Sequence, residues 1–302
     1  MVPGVPITAE RSGQFALGDR TVNRLGFGGM KLTGPRIMGP PADREAVLTV
    51  LRRAVELGVN HIETSDHYGP HVVNGLISEA LQPYPEDLII LTKVGARRAP
   101  DGGWVAALRP AELRRAVQDN LDHLKLDVLD VVHLRMPGLG EPTERSLAEP
   151  FQALAQLQQE GLVRHLGLSH VTARQITEAR AIAPVVSVQN HYNLIHRTDD
   201  LLIDELARDG IAYTALEGMS YTVFFPQGRL TPPQSAALEA VARRLGAEPV
   251  QVVIAWLLTR SPNMLVIPGA TSVAQLEANL AAAALVLGSD DVAELERIAG
   301  IE

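Results

Sequence analysis

The chain has 302 residues, 46% of them apolar, enough to bury a sizeable core. Lys and Arg number 27 against 35 Asp and Glu, and the resulting charge of −8 argues against nucleic acid as a partner. There is no cysteine, which excludes disulfides, thiolate nucleophiles and zinc–thiolate sites, and no apolar run approaches the roughly 20 residues of a membrane span.

The polar lead-in over 1–20 opens with MVPGVPITAERSGQF, which lacks the basic-then-apolar pattern of a signal peptide, so a cytoplasmic setting is expected. VNRLGFGG (22–29) reads as a short strand ending in glycines, and ADREAVLTVLRRAVELG (42–58) as a helix with a Gly stop. The alternation continues with strands VNHIET, DLIILTKV, VLDVVHLRM, VRHLGLS, VVSVQNHYN, IAYTAL and NMLVIPG. Each is followed by at least one segment of helical spacing, the last being VAQLEANLAAAA (273–284). Residues 218–233, GMSYTVFFPQGRLTPP, read as an irregular, aromatic-rich loop after strand seven.

Eight strand-then-helix units with near-continuous Val, Leu and Ile in the strands predict a parallel sheet buried on both faces. Closure into a (β/α)8 TIM barrel fits that count. A doubly wound open sheet is the alternative, but GFGGMKLTGP after the first strand lacks the GxGxxG that would open a nucleotide-binding helix. No linker divides the chain, so a single domain over 1–302 is expected.

Barrel enzymes work at the carboxyl ends of their strands, and those ends are where this sequence concentrates polar groups. Strand two supplies Glu63, Asp66 and Tyr68, strand three ends in Thr92-Lys93, and strand four carries His133 and Arg135 with shared parity. Strand five ends in Ser169-His170 and strand six in Gln189-Asn190. A buried Lys93 needs a partner, and Glu63 on the neighbouring strand is suited to it. The pair could be purely structural. With Tyr68 added it has chemistry, because a nearby ammonium lowers a phenol's pKa and readies it to protonate a carbonyl oxygen. His133 could share in proton transfer or simply be a satisfied inward side chain, while Arg135 can only donate hydrogen bonds. His61, Glu63, Asp66, His67 and His71, joined by His133 and His170, also allow a metal-dependent barrel hydrolase, although a central lysine would oppose the metal's charge.

Glu63-Thr64-Ser65, Tyr68-Gly69 five residues after Glu63, Thr92-Lys93, LGFGGM, the strand-five Gly-x-Ser, the strand-six Gln-Asn and IPGATSVAQLEANL together resemble the aldo-keto reductase family over nearly the whole chain. DHYGPHVVN, TKVGARR, DVLDVVHLR, GIAY and AWLLTRSPNMLVIPG are closest in appearance to bacterial pyridoxal reductases. The resemblance implies a (β/α)8 barrel that binds NADPH, with NADH possible, and reduces a small-molecule carbonyl substrate. Tyr68 would be the general acid, helped by Lys93, with Glu63 where the family has Asp and Arg135 where it has His. Ser169, His170 and Gln189 would face the nicotinamide carboxamide, Gly28, Gly29 and Met30 would line the nicotinamide side, and Tyr213 or a later aromatic would stack on its ring. Gly269, Ala270, Thr271, Ser272, Gln275 and Asn279 would wrap the adenosine end, with the helix opening there taking phosphate charge. Gln275 and Gly269 stand where many relatives place Arg and Lys. Trp104 and the aromatics of Tyr221–Phe225 would line an apolar substrate pocket. The departures at Glu63, Arg135 and His170 also admit a cofactor-binding protein with weak or no turnover, acting as a sensor or accessory subunit.

Overall fold

The computed structural model describes residues 6–138, 141–216 and 230–300. The chain enters through an antiparallel hairpin, β1 (Gln14–Leu17) and β2 (Arg20–Asn23), and continues through β3 (Phe27–Gly28), β4 (His61–Glu63) and β5 (Ile89–Val94). A second antiparallel hairpin, β6 (Ala96–Arg98) and β7 (Trp104–Ala106), precedes β8 (Leu129–Arg135), β9 (Val163–Ser169), β10 (Val185–His191), β11 (Ala212–Leu216) and β12 (Met264–Leu265). Outside the two hairpins, the remaining eight strands lie side by side in chain order, all parallel. Val266 forms a parallel bridge with Leu25, and its carbonyl and amide each bond across the seam at 2.9 Å, to the amide of Gly26 and the carbonyl of Arg24. The sheet is therefore closed, giving the (β/α)8 barrel that the alternation predicts.

The helices are α1 (Arg44–Glu56), α2 (Val72–Leu81), α3 (Pro110–Leu124), α4 (Ala148–Gln159), α5 (Ala173–Arg180), α6 (Asp200–Arg208), α7 (Pro232–Leu245), α8 (Pro249–Arg260), α9 (Val273–Ala281) and α10 (Ser289–Arg297). Their starts follow capping chemistry: Asp43 accepts the Ala46 amide at 2.9 Å before α1, and Thr172 with Gln175 forms a capping box before α5.

The period of two along each strand sorts the residues. Inside the barrel, Ile89, Leu91, Val131, Ala212 and Leu265 form one apolar cluster with Leu17 and Val22 of the entry hairpin. The hairpin thus plugs the amino-terminal end, and each of its two apolar side chains contributes roughly 1.5–3 kcal/mol on full burial. Two residues further along the same strands the interior turns polar, at Lys93 and His133, and then at Arg135.

The structure corrects the sequence reading in places. The lead-in is not featureless: β1 and β2 occupy 14–23, so Val22 and Asn23 belong to the plug and the first barrel strand shrinks to Phe27–Gly28. The hairpin of β6 and β7 and the helix α10 were not expected from the periodicity. Of the loop assigned to 218–233, residues 218–229 lie outside the described residues, and Thr231 caps α7.

Candidate active site

Glu63 at the end of β4 and Lys93 near the end of β5 point into the barrel mouth and form an ion pair, each side chain 4% exposed. The Lys93 Nζ also donates to the carbonyl of Thr64 at 3.2 Å and lies 4.9 Å from the centre of the Tyr68 ring. Burial, and then the charge of Arg135, push the pKa of the Lys93 ammonium well below its ordinary value.

The neighbours of these residues on the strands face the helices and hold them in register. Thr64 Oγ1 donates to Asn74 Oδ1 at 2.7 Å, Asn74 Nδ2 donates to Asn120 Oδ1 at 2.8 Å, and Thr92 Oγ1 donates to the same oxygen at 2.6 Å. This buried network fastens the outward side of β4 and β5 to α2 and α3. Ser65 Oγ donates to the Lys93 carbonyl at 3.0 Å and bonds the His67 ring.

A cavity of about 420 Å³ opens over this cluster, walled by Met30, Tyr68, Trp104, Arg135, Ser169 and Gln189 among others. Trp104 stands on the second hairpin, with the Arg98 guanidinium 4.2 Å above its ring and the His67 ring edge-on at 5.0 Å. Arg98 in turn donates to the carbonyls of Arg36 and Gly102, at 3.0 and 2.6 Å, so the hairpin is tied to the loop after β3. The Tyr221–Phe225 aromatics lie outside the described residues.

His133 and Arg135 share a face, as their spacing requires, but at different depths. His133 lies below the cavity, bonded through Nε2 to Ser187 Oγ at 3.1 Å. Burial, and then the Lys93 charge, hold its ring neutral, with a pKa lowered to about 3. Arg135 reaches the cavity wall and donates to the carbonyls of Met136 and Gly138 at 2.6 and 2.9 Å. Burial lowers its pKa to about 10, and the Tyr68 phenol opposes that shift.

Ser169 and Gln189, paired across β9 and β10, both line the cavity, with Ser169 Oγ 3.4 Å from Gln189 Oε1. His170 does not join them. Its backbone is left-handed, at φ 62°, and its ring is buried, with Nε2 3.1 Å from where a Cβ on Gly138 would stand. Tyr213 is also displaced from its expected role. In β11 the inward residues are Ala212, Thr214 and Leu216, so Tyr213 points to the helices, edge-on to Tyr192, and donates to Asp199 Oδ2 at 2.8 Å. Leu216, not Tyr213, reaches the cavity wall.

Met30 lines the cavity, whereas Gly28 and Gly29 serve close packing: a Cβ on Gly28 would stand 2.5 Å from the Ile267 carbonyl oxygen, and one on Gly29 would stand 2.8 Å from Val73 Cγ1. At the adenosine segment, Ser272 caps α9, and Gln275 folds back so that its Oε1 accepts from the Thr271 amide and hydroxyl at 3.0 and 3.1 Å. Ala270 and Asn279 are buried. Lys31, which the sequence reading missed, runs its Cγ and Cδ methylenes within 3.2 Å of the Cβ position of Gly269.

The clustered histidines disperse. His61 is buried deep under Gly26, His71 stacks on His123 at 4.3 Å, and among the described residues no three His, Asp or Glu are grouped to hold a metal.

The Aldo/keto reductase family pattern matches residues 24–299. The chain belongs to that family, and it is an oxidoreductase. It is 55% identical over 289 residues to pyridoxine 4-dehydrogenase of Escherichia coli, covering 95% of this chain and 98% of that one. It is 37% identical to an uncharacterized oxidoreductase of Schizosaccharomyces pombe, covering 96% and 91%. Among solved structures, a thermostable aldo-keto reductase in complex with the inhibitor epalrestat superposes with a TM-score of 0.79 at 27% identity, covering 94% of this chain and 99% of that one. No helix among the described residues is long and apolar enough to cross a membrane.

Proposed function

We propose that the protein is a cytoplasmic, single-domain reductase that uses NADPH to convert a small aldehyde or ketone to the alcohol, with pyridoxal the foremost substrate. The observation that carries this reading is the Glu63–Lys93 pair beneath the ring of Tyr68, at the floor of a cavity large enough for a small ring compound. Pyridoxal is favoured by the likeness to pyridoxine 4-dehydrogenase across nearly the whole of both chains.

The residues fit a nicotinamide dinucleotide. Ser169 and Gln189 offer a hydroxyl and an amide to a carboxamide at the cavity wall. The amino end of α9 offers backbone amides to phosphate. Bound NADPH supplies the hydride. Tyr68 gives its proton to the carbonyl oxygen as charge develops there. Lys93 and Arg135 both favour the phenolate that Tyr68 leaves behind, and Glu63 holds Lys93 in place. His133, with its nitrogen on Ser187, supports the floor from below. The test is to titrate NADPH and NADH against the protein by quenching of intrinsic fluorescence, then to screen aldehydes for NADPH oxidation. Tight NADPH binding with pyridoxal among the best substrates is expected, and failure to bind either nucleotide would refute the reading.

A further inference from the structure

Among the described residues, the charges at the cavity floor do not cancel. Glu63 is committed to Lys93, and among the described residues no carboxylate pairs with Arg135. Arg135 spends two N–H groups on the Met136 and Gly138 carbonyls, which lock the guanidinium plane. A guanidinium has five N–H donors in a rigid fork, so donors remain on a side chain that walls the cavity beside Tyr68, Ser169 and Gln189. An enclosed cation without a counter-charge is costly unless a ligand supplies one. A neutral carbonyl alone brings only the partial charge that grows on its oxygen, and the Tyr68 proton quenches that charge.

Resting on the reductase reading above, we infer that Arg135 is a specificity-determining residue that selects carbonyl substrates bearing an ionised oxygen on the carbon next to the one that carries the carbonyl, as in ortho-hydroxyaryl aldehydes. In such a compound the two oxygens lie side by side in the ring plane, and a planar fork meets both, which a lysine or a histidine cannot do. Pyridoxal, a hydroxypyridine with its aldehyde beside the ionised hydroxyl, has this arrangement. Trp104, which also lines the cavity, offers an aromatic surface to the ring. During reduction the hydride adds to the carbonyl carbon, the π pair moves to its oxygen, and that oxygen takes the Tyr68 proton. The neighbouring oxyanion is unchanged throughout, and Arg135 gains and loses no proton.

The test compares kcat/KM for ortho-hydroxybenzaldehyde, para-hydroxybenzaldehyde, pyridoxal and the methyl ether of pyridoxal's ring hydroxyl, with NADPH, above the phenol pKa values. The para isomer carries the same electron-donating oxyanion but holds it out of reach of Arg135. A charge-assisted, two-pronged contact predicts a preference of roughly tenfold or more for ortho over para and for pyridoxal over its ether, expressed largely in KM. The preference should collapse towards unity in Arg135→Gln and be only partly kept in Arg135→Lys, whatever the overall rate of either variant. Because the ratio is internal to each protein, a general loss of activity does not imitate the effect, and the wild-type ratios stand on their own if a variant fails to fold. Reduction of all four compounds without an ortho preference, or a preference that persists in Arg135→Gln, would overturn the assignment. No turnover of any of them would overturn the reductase reading itself, and the selectivity with it.

Discussion

Lys93 holds its ammonium 4.9 Å from the centre of the Tyr68 ring while pairing with Glu63, so one buried cation joins a carboxylate on the adjacent strand to a phenol on the loop beyond it.

Replacing Lys93 with Met removes the ammonium beside the Tyr68 ring and leaves the Glu63 carboxylate buried without its partner. kcat should fall by about 10²–10⁴, the range expected for loss of assisted proton transfer. The alkaline limb of the pH–rate profile should move upwards, because the phenol loses a charge that favours its ionised form. Steady-state kinetics from pH 6 to 10 check both; an unmoved limb would detach Lys93 from Tyr68.

Asn120 touches no part of the cavity, yet its side chain binds Thr92 and Asn74 and donates to the Ala116 carbonyl. Asn120→Ala leaves those buried groups unpaired and should destabilise the protein by about 2–4 kcal/mol, read from urea unfolding. KM should change less than stability does.

His61 and His133 are buried neutral, their pKa values lowered to about 4 and about 3 by burial above all. In the unfolded chain both titrate near the ordinary value of about 6.5. The unfolded state therefore takes up protons first as pH falls, and the stability present above pH 6.5 drains away below it. The slope should approach about 1.4 kcal/mol per pH unit for each histidine between pH 6 and pH 4. Denaturant midpoints measured across that window should drop steeply in the wild type and less steeply in His133→Asn, which keeps a donor for Ser187 but does not titrate.

Gln275 occupies a place beside the α9 terminus where a longer cation could face a ribose phosphate, and at present its oxygen serves Thr271. Gln275→Arg should lower KM for NADPH about three- to tenfold relative to NADH, an exposed charge contact being worth roughly 1 kcal/mol. The gain should shrink as ionic strength rises. Equal changes for the two nucleotides would mean that the side chain does not face the distinguishing phosphate.

Much of the site could be read from strand parity. Glu63, Lys93, His133, Arg135, Ser169 and Gln189 all lie on the inward face because alternate residues share a side, and a carboxyl-end position identified several of them in advance. The same rule, applied to β11, excludes Tyr213: Ala212 and Thr214 point inward, so the tyrosine between them cannot. His170 falls to the same rule: it follows the inward-facing Ser169 and so turns away from the cavity, its ring buried beside Gly138. The entry plug was hidden because β1 and β2 are four residues each, too short for periodicity to stand out from the polar lead-in. Lys31 against Gly269 was beyond reach for the most general reason: the two meet only when the barrel closes its first strand on its last, a contact that no local pattern encodes.

The central claim is that Tyr68 delivers the proton, and Tyr68→Phe tests it most directly because it deletes a single oxygen and keeps the ring over Lys93. NADPH should quench the fluorescence of the variant as it does the wild type, while aldehyde-dependent NADPH oxidation falls by a factor of about 10²–10⁴. Full turnover in Tyr68→Phe would contradict the account.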